Sequence, residues 1–197
     1  MRKAALCIIA CIISVLSFGQ TSEDPTYGFG KVPVKDGMVV FSDEITFNSE
    51  KISQEDVYGT LLQWAKGKFV KPIVISAKVK DSAPGRISAN IEDYITFKKT
   101  AIITDRSRIN YDLTINVSSS VCSVTISNIS YWYEEERDGG SRFTAEEWIT
   151  DREAFNRQGT KMLKAAGKFR IKTIDLVNDL EKEIKDVIST LETEASK

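Results

Sequence analysis

The sequence predicts an α+β fold: a curved antiparallel sheet of about five strands in the order β-α-β-β-β-β-α, covered on one face by helices and ending in a long C-terminal helix. Three stretches carry this reading. From Arg108 to Val117 the residues Ile109, Tyr111, Leu113, Ile115 and Val117 are apolar and Asn110, Asp112, Thr114 and Asn116 between them are polar. That period of two marks a half-buried strand. Ser118-Ser119-Ser120 breaks the pattern and Cys122, Val124 and Ile126 resume it, which describes an antiparallel hairpin with one dry and one wet face. The dry face needs a cover, and two helical stripes supply it, one beginning after Ser53 and one running from Leu163 to Leu191.

In chain order, Val39, Phe41, Ile45 and Phe47 alternate with Val40, Ser42, Glu44 and Thr46 in a first strand, with Asp43 as the exception on its apolar side. Ser53 is an N-cap with Asp56 three residues on, and Ile52 can staple to Val57. Val57, Tyr58, Leu61, Leu62, Ala65 and Phe69 form the stripe of that helix, which Pro72 stops. Ile73, Ile75, Ala77 and Val79 make a second strand, ended by the turn residues Asp81 to Gly85. Ile87, Ala89 and Ile91 begin a third, continuing through Ile95 and Phe97 after an irregularity at Asp93-Tyr94. Lys98 to Ser107 reads as a crossing segment or short edge strand leading into the central hairpin.

Past Ser127 the apolar residues of the returning strand change parity to Ile129, Tyr131 and Tyr133. Because register has period two, this requires an inserted residue, and it is placed near Asn128. After a charged loop ending at Gly140, Thr144 and Glu147 form a capping box with Phe143 stapled to Trp148, and Thr150 with Glu153 can restart a helix. From Gln158 onward the pattern is helical with Gly167 as its weak point, and Glu181 and Lys185 fall on its outer side. At about 1.5 Å per residue such a helix can cross a whole sheet.

This succession resembles a bacterial exported family described as a domain of unknown function with a TBP-like fold, over residues 38–135. The first strand leading into SQEDVYGTLLQWAKGKF, the YDLTINV strand and the return ending in NISYWYEE carry the resemblance, and GKFRIKTIDLVNDL looks like the segment that follows such domains. The resemblance implies the curved sheet with helices on one side. It implies no known activity.

The N-terminus reads as a signal peptide over 1–19. Arg2 and Lys3 precede an apolar run from Ala4 to Leu16, and Ser17-Phe18-Gly19 ends in small residues at the positions a signal peptidase reads. Cleavage after Gly19 would leave a periplasmic or cell-surface chain beginning at Gln20, with no transmembrane helix in it. The competing reading is a lipoprotein, with Cys11 of Ile8-Ile9-Ala10-Cys11 carrying the lipid. Residues 20–37, with Pro25, Gly28, Gly30 and Pro33, read as a flexible N-terminal arm, 38–135 as the α+β domain and 136–197 as a helical extension packing on the sheet. Cleavage also takes away Cys7 and Cys11, so Cys122 remains as one thiol with no partner for a disulfide, on the buried parity of the hairpin. With 27 basic and 28 acidic residues the chain lacks the cationic excess that nucleic acid or anionic polymers attract.

There is no histidine, so Ser-His-Asp and Cys-His catalysis and imidazole metal ligation are excluded. The pattern points to no catalytic residue, metal or cofactor. Glu134-Glu135-Glu136 with Asp138 lacks the spacing of a calcium loop. The wet sheet face supplies the candidate binding surface, Asn110, Asp112, Thr114, Asn116, Ser123, Thr125 and Ser127, able to hydrogen-bond a protein or glycan partner in the envelope. Tyr131, Trp132 and Tyr133 are the candidate aromatic contacts. Asp81-Ser82-Ala83 is similar to the Asp-Ser/Thr-apolar sequon of O-glycosylated exported proteins in some Gram-negative bacteria, which makes Ser82 a candidate modification site. Three functions follow. The first is a non-enzymatic protein-interaction or assembly module. The second is a carrier holding a small apolar ligand in a cavity lined by Phe41, Tyr111, Leu113 and Trp132. The third is a carboxylate-based hydrolase, for which Asp43, Glu44, Glu92, Asp93 and Asp112 are the strand-borne acids.

Export gives the first prediction. Intact-mass analysis of the protein recovered from its native envelope should show a chain beginning at Gln20, whereas a diacylglycerol adduct on Cys11 would establish the lipoprotein instead.

Overall fold

A computed structural model describes residues 24–197, so the signal-peptide and Cys11 readings fall outside it. The two-residue strands β1 (Val34–Lys35) and β2 (Met38–Val39) form a small ribbon. The main sheet follows as β3 (Phe41–Thr46), β4 (Ser76–Ala83), β5 (Arg86–Lys99), β6 (Thr104–Val117), β7 (Val121–Tyr133) and β8 (Ser141–Thr144). Helices are α1 (Gln54–Lys68), α2 (Ala145–Trp148), α3 (Asp151–Ala154) and α4 (Lys164–Glu194). The sheet is antiparallel in the order β3-β7-β6-β5-β4, and β8 shares with β3 the side of β7 that β6 leaves open.

This order places β3 and β4 on opposite edges, so the helix joining them must cross a face. α1 does so, with Val57, Leu61 and Ala65 buried against the sheet and a capping box closed between Ser53 and Asp56. α4 lies beside it, and Lys68 of α1 meets Glu183 of α4 at 2.6 Å. One continuous core joins Ile91, Leu113, Ile115 and Val124 of the sheet to Leu61, Val177, Leu180 and Ile184 of the helices, so 38–135 and the helical segment after it share their interior. Cys122 is fully buried there, and burial pushes its thiol up to about 12.

Several expectations are corrected. β5 keeps its register through Asp93 and Tyr94, and the irregularity lies between Thr96 and Lys98. Asp93 stays on the helix-facing parity, where burial raises its pKa. Lys98 to Ser107 is neither a crossing segment nor an edge strand but the end of the β5-β6 hairpin, turning at Thr100–Ile103. The last helix begins at Lys164 rather than Gln158, because the Asn156 side chain accepts from the Thr160 and Lys161 amides and Gly159 turns with φ of +69°. Gly167 packs against Met162, whose sulfur would stand 2.6 Å from a Cβ there, so a side chain at 167 would have to displace the end of the methionine. Lys185 is exposed, as expected, and from the edge of the helix it reaches 2.7 Å to Asp43, the acid on the apolar side of β3.

Most of the arm expected to be loose is tied down in its described part. Arg170 of α4 is completely buried. It donates through Nε to Tyr27 O at 2.8 Å, through Nη1 to Ile149 O at 2.7 Å and through Nη2 to Gly28 O, and it pairs with Asp151 at 2.8 Å. Tyr27 Oη donates to Asp175 at 2.7 Å and Gly30 N to Asp151 at 2.8 Å, while Val32 enters the core. Residues 24–40 are therefore a strap across α3, α4 and β3.

Removing one partner of a buried ionic cluster leaves the others desolvated and unpaired, which typically costs about 3–5 kcal/mol. Arg170→Met should lower stability by about that much in urea unfolding and make the strap cleavable by protease before the domain unfolds. An unchanged unfolding midpoint would show that the strap contributes nothing.

Candidate functional site

The face of the sheet opposite α1 and α4 is open, and the pairing sets its side chains in rows. Asn90 stands opposite Asp112 and Asp112 opposite Ser127; Ser88, Thr114 and Thr125 form the next row, and Asn116 faces Ser123. All seven candidate face residues, Asn110, Asp112, Thr114, Asn116, Ser123, Thr125 and Ser127, lie here, each half-buried between its neighbours. Asn90 Nδ2 donates to Asn110 Oδ1 at 3.1 Å and Asp112 Oδ1 at 2.8 Å, and Asn128 Nδ2 donates to Asp112 Oδ2 at 2.7 Å. The one carboxylate in the middle of the face is thus already held by two amides.

The parity change works through a bulge at the expected place. β6 pairs Asn110 with Ser130 and Asp112 with Ser127, so β7 carries an extra residue, and Asn128 takes a left-handed φ of +52°. Asparagine tolerates that conformation better than most residues. Beyond the bulge Tyr131 and Tyr133 turn toward the helices, where Phe169 packs on both rings, at 5.2 and 5.4 Å between centroids. Tyr131 Oη is 2.7 Å from Thr173 Oγ1, and Tyr133 bonds Asp105 and Lys168. Trp132 alone of the three aromatic candidates reaches the open face.

There it completes a row of four side chains on four strands: Tyr94 of β5, Arg108 of β6, Trp132 of β7 and Arg142 of β8. The Arg142 and Arg108 guanidiniums lie 3.7 and 4.8 Å from the Trp132 ring, and Arg106 lies 3.8 Å over Tyr94. Arg108 is held by Glu92 at 3.0 Å and by Glu135, while Tyr94 Oη donates to Glu135 at 2.6 Å and Trp132 Nε1 to Gly139 O at 2.8 Å. Beside this row, a depression of about 720 Å³ opens between Tyr94, Arg106, Trp132 and the Glu134–Arg137 turn. Arg106 and Arg142 stack on aromatic faces and, among the described residues, form no close ion pair, although the Arg106 charge is near enough to act on Glu135. Tyr94, Arg106, Arg108 and Arg142 were missed by sequence reasoning, although Arg108 and Trp132 become cross-strand neighbours once the hairpin register and its bulge are written out.

The acids proposed for hydrolysis divide between faces: Asp43 and Asp93 point to the helices, and Glu44, Glu92 and Asp112 to the open side. Glu92 is occupied by Arg108 and Ser76, and no metal-binding cluster of three or more acidic or sulfur ligands occurs among the described residues. The cavity expected for an apolar ligand is not formed by its four residues. Tyr111 and Leu113 are 1% exposed in the packed core and Trp132 is on the opposite face, while Phe41 lines a surface groove against the strap and α4. Ser82 is exposed at the end of the edge strand β4, as the bulged residue between Asp81 and Ala83 that has no partner on β5.

A family model described as a domain of unknown function (DUF4468) with TBP-like fold matches residues 43–132. The crystal structure of a DUF4468 family protein from Bacteroides ovatus is 31% identical, with a TM-score of 0.73 over 83% of this chain and 93% of that one. A TBP-like protein from Parabacteroides distasonis shares the fold at 21% identity, with a TM-score of 0.65 over 80% of this chain and 97% of its own. No curated protein matches the chain.

The Glu135 carboxyl is held below the usual range by the hydrogen bond from Tyr94 and by the Arg108 guanidinium, against burial, which works the other way. A depressed folded-state pKa contributes stability that is present above the unfolded value, about 4.3 for Glu, and is lost as pH falls through the folded value. Acid titration of stability should therefore be steeper below about pH 4.3 in the wild type than in Glu135→Gln. Equal slopes would mean that Glu135 has no preferential partner in the folded state.

Proposed function

The chain belongs to the DUF4468 family with TBP-like fold, and on that premise we propose that it is a non-enzymatic binding module of the cell envelope that docks a protein partner on the open face of its sheet. The observation that carries this reading is the row Tyr94-Arg108-Trp132-Arg142. Trp, Tyr and Arg are the side chains that most often dominate binding energy when a partner excludes water from them. Here they stand on four paired strands, with orientations fixed by stacking and by the Trp132 and Tyr94 hydrogen bonds. A partner would meet them with little loss of side-chain freedom. The Asn, Ser and Thr rows beside them supply a polar surround, and Arg106 and Arg142 offer donors for a partner's carboxylates.

The envelope setting rests on the signal-like residues 1–19 and the partner on the composition of the row. Site-specific photocrosslinking from position 142 in the native envelope should capture a discrete partner. Trp132→Ala should then weaken its binding by about 2 kcal/mol or more, roughly 30-fold, while Thr125→Ala changes it little. Binding by a captured partner that Trp132→Ala leaves unchanged would remove this row from the interface.

A further inference from the structure

The far end of the β5-β6 hairpin points to a second contact, independent of the sheet-face reading. β4 stops pairing with β5 at Glu92, and β7 stops pairing with β6 at Ser107. Beyond those points Thr96–Lys99 and Thr104–Arg106 pair only with each other, as a ribbon projecting past the sheet. Its apex is Thr100-Ala101-Ile102-Ile103. Ile102 is 93% exposed and Ile103 66%, the two most exposed large hydrophobic residues that follow one another in the described chain.

The turn is closed on itself. Thr100 N donates to Ile103 O at 2.8 Å, and Ile103 N donates to Thr100 Oγ1 at 3.0 Å. Polar backbone groups that would resist entry into an apolar medium are thereby bonded internally at both ends of the turn. Directly behind the apex, Lys98 and Lys99 are exposed and form no ion pair among the described residues, whereas Asp105, the acid nearest them on the ribbon, is taken up by Lys168. The acids of the 134–136 turn line the depression behind Ile103, and Ala101, Ile102, Lys98 and Lys99 lie outside that depression.

We propose that this tip is a peripheral membrane contact, inserting Ile102 and Ile103 at the surface of a bilayer that carries anionic headgroups, with Lys98 and Lys99 at headgroup level. Apolar side chains at an apex with lysines one turn behind match the order of an acyl boundary and its charged surface. A convex apex of four residues presents far less than the roughly 800 Å² per partner of an ordinary protein interface, which argues against a protein groove as its occupant. Two isoleucines and two lysines give weak, reversible, salt-sensitive attachment, of the kind that supplements another anchor.

The test uses the full chain with Cys7→Ser and Cys11→Ser, labelled with an environment-sensitive dye through Ala101→Cys; buried Cys122 stays unlabelled while the protein is folded. Vesicles of phosphatidylcholine containing phosphatidylglycerol should shift the dye emission to the blue, and pure phosphatidylcholine should do so much less. Ile102→Asp should raise the lipid concentration needed by about tenfold or more, and Lys98→Glu with Lys99→Glu should abolish the preference for the anionic vesicles. Protein that sediments with anionic vesicles while the dye stays silent would be attached through its N-terminal segment only and would overturn the proposal. A shift that survives Ile102→Asp would overturn it as well.

Discussion

Because side chains alternate along a strand, the residue inserted at Asn128 exchanges the two faces for everything that follows it in β7. Without it, Trp132 would enter the core beside Phe169, and Tyr131 and Tyr133 would stand in water. With it, two tyrosines join a packed aromatic group with Phe143, Phe169 and Trp148, and the indole faces outward between two arginines. Burying a tyrosine needs a partner for its hydroxyl, and Thr173 and Lys168 of α4 supply one each. The bulge therefore couples the docking of α4 to the composition of the open face. Both depend on a residue that accepts positive φ.

The other unusual constraint is the buried guanidinium of Arg170. A charge is costly to bury unless each of its donors is matched, and here three carbonyls and the Asp151 carboxylate surround it, with the Phe155 ring 5.0 Å away. Two of those carbonyls belong to residues 27 and 28, so the N-terminal strap completes the coordination of a side chain that α4 has already committed to the interior. The strap is in this sense part of the core, although its composition of glycine, proline and polar residues resembles a linker.

That composition is why the strap was not legible in the sequence: what orders it is one arginine 143 residues further on, and a charged residue on a helical stripe carries no sign of being buried. The alternating strands, the capping boxes of α1 and α2, the buried thiol and the bulge were legible because each is written in residues adjacent in the chain. The start of α4 is not legible because no helix stop stands before its stripe, which opens only at Met162 and Leu163, and the turn over 156–161 is built by side-chain hydrogen bonds of Asn156 and a positive φ at Gly159. In the candidate site the seven polar face residues and Trp132 follow from parity alone. Tyr94 and Arg142 come from two further strands, β5 and β8, and their convergence with Arg106, Arg108 and Trp132 depends on register across four strands of the sheet.

Those registers also explain why the two faces differ in what they can offer. Strands β5, β6 and β7, of 14, 14 and 13 residues, are longer than the mean strand of about 5–6 residues. α1 and α4 cover one face of the sheet along much of that length. On the other face nothing in the described chain covers the side chains, so its polar groups must satisfy one another or water. Asn90, Asn110, Asp112 and Asn128 do so in the middle of the face. Toward the Trp132 end, polar pairing gives way to cations held over aromatic rings, in which the guanidinium N–H donors keep capacity to spare. A surface already satisfied within itself gains little from a partner, whereas ordered donors with unused capacity gain more. The ordered donors with unused capacity are therefore concentrated at the end of the face whose outward side chains the Asn128 bulge sets.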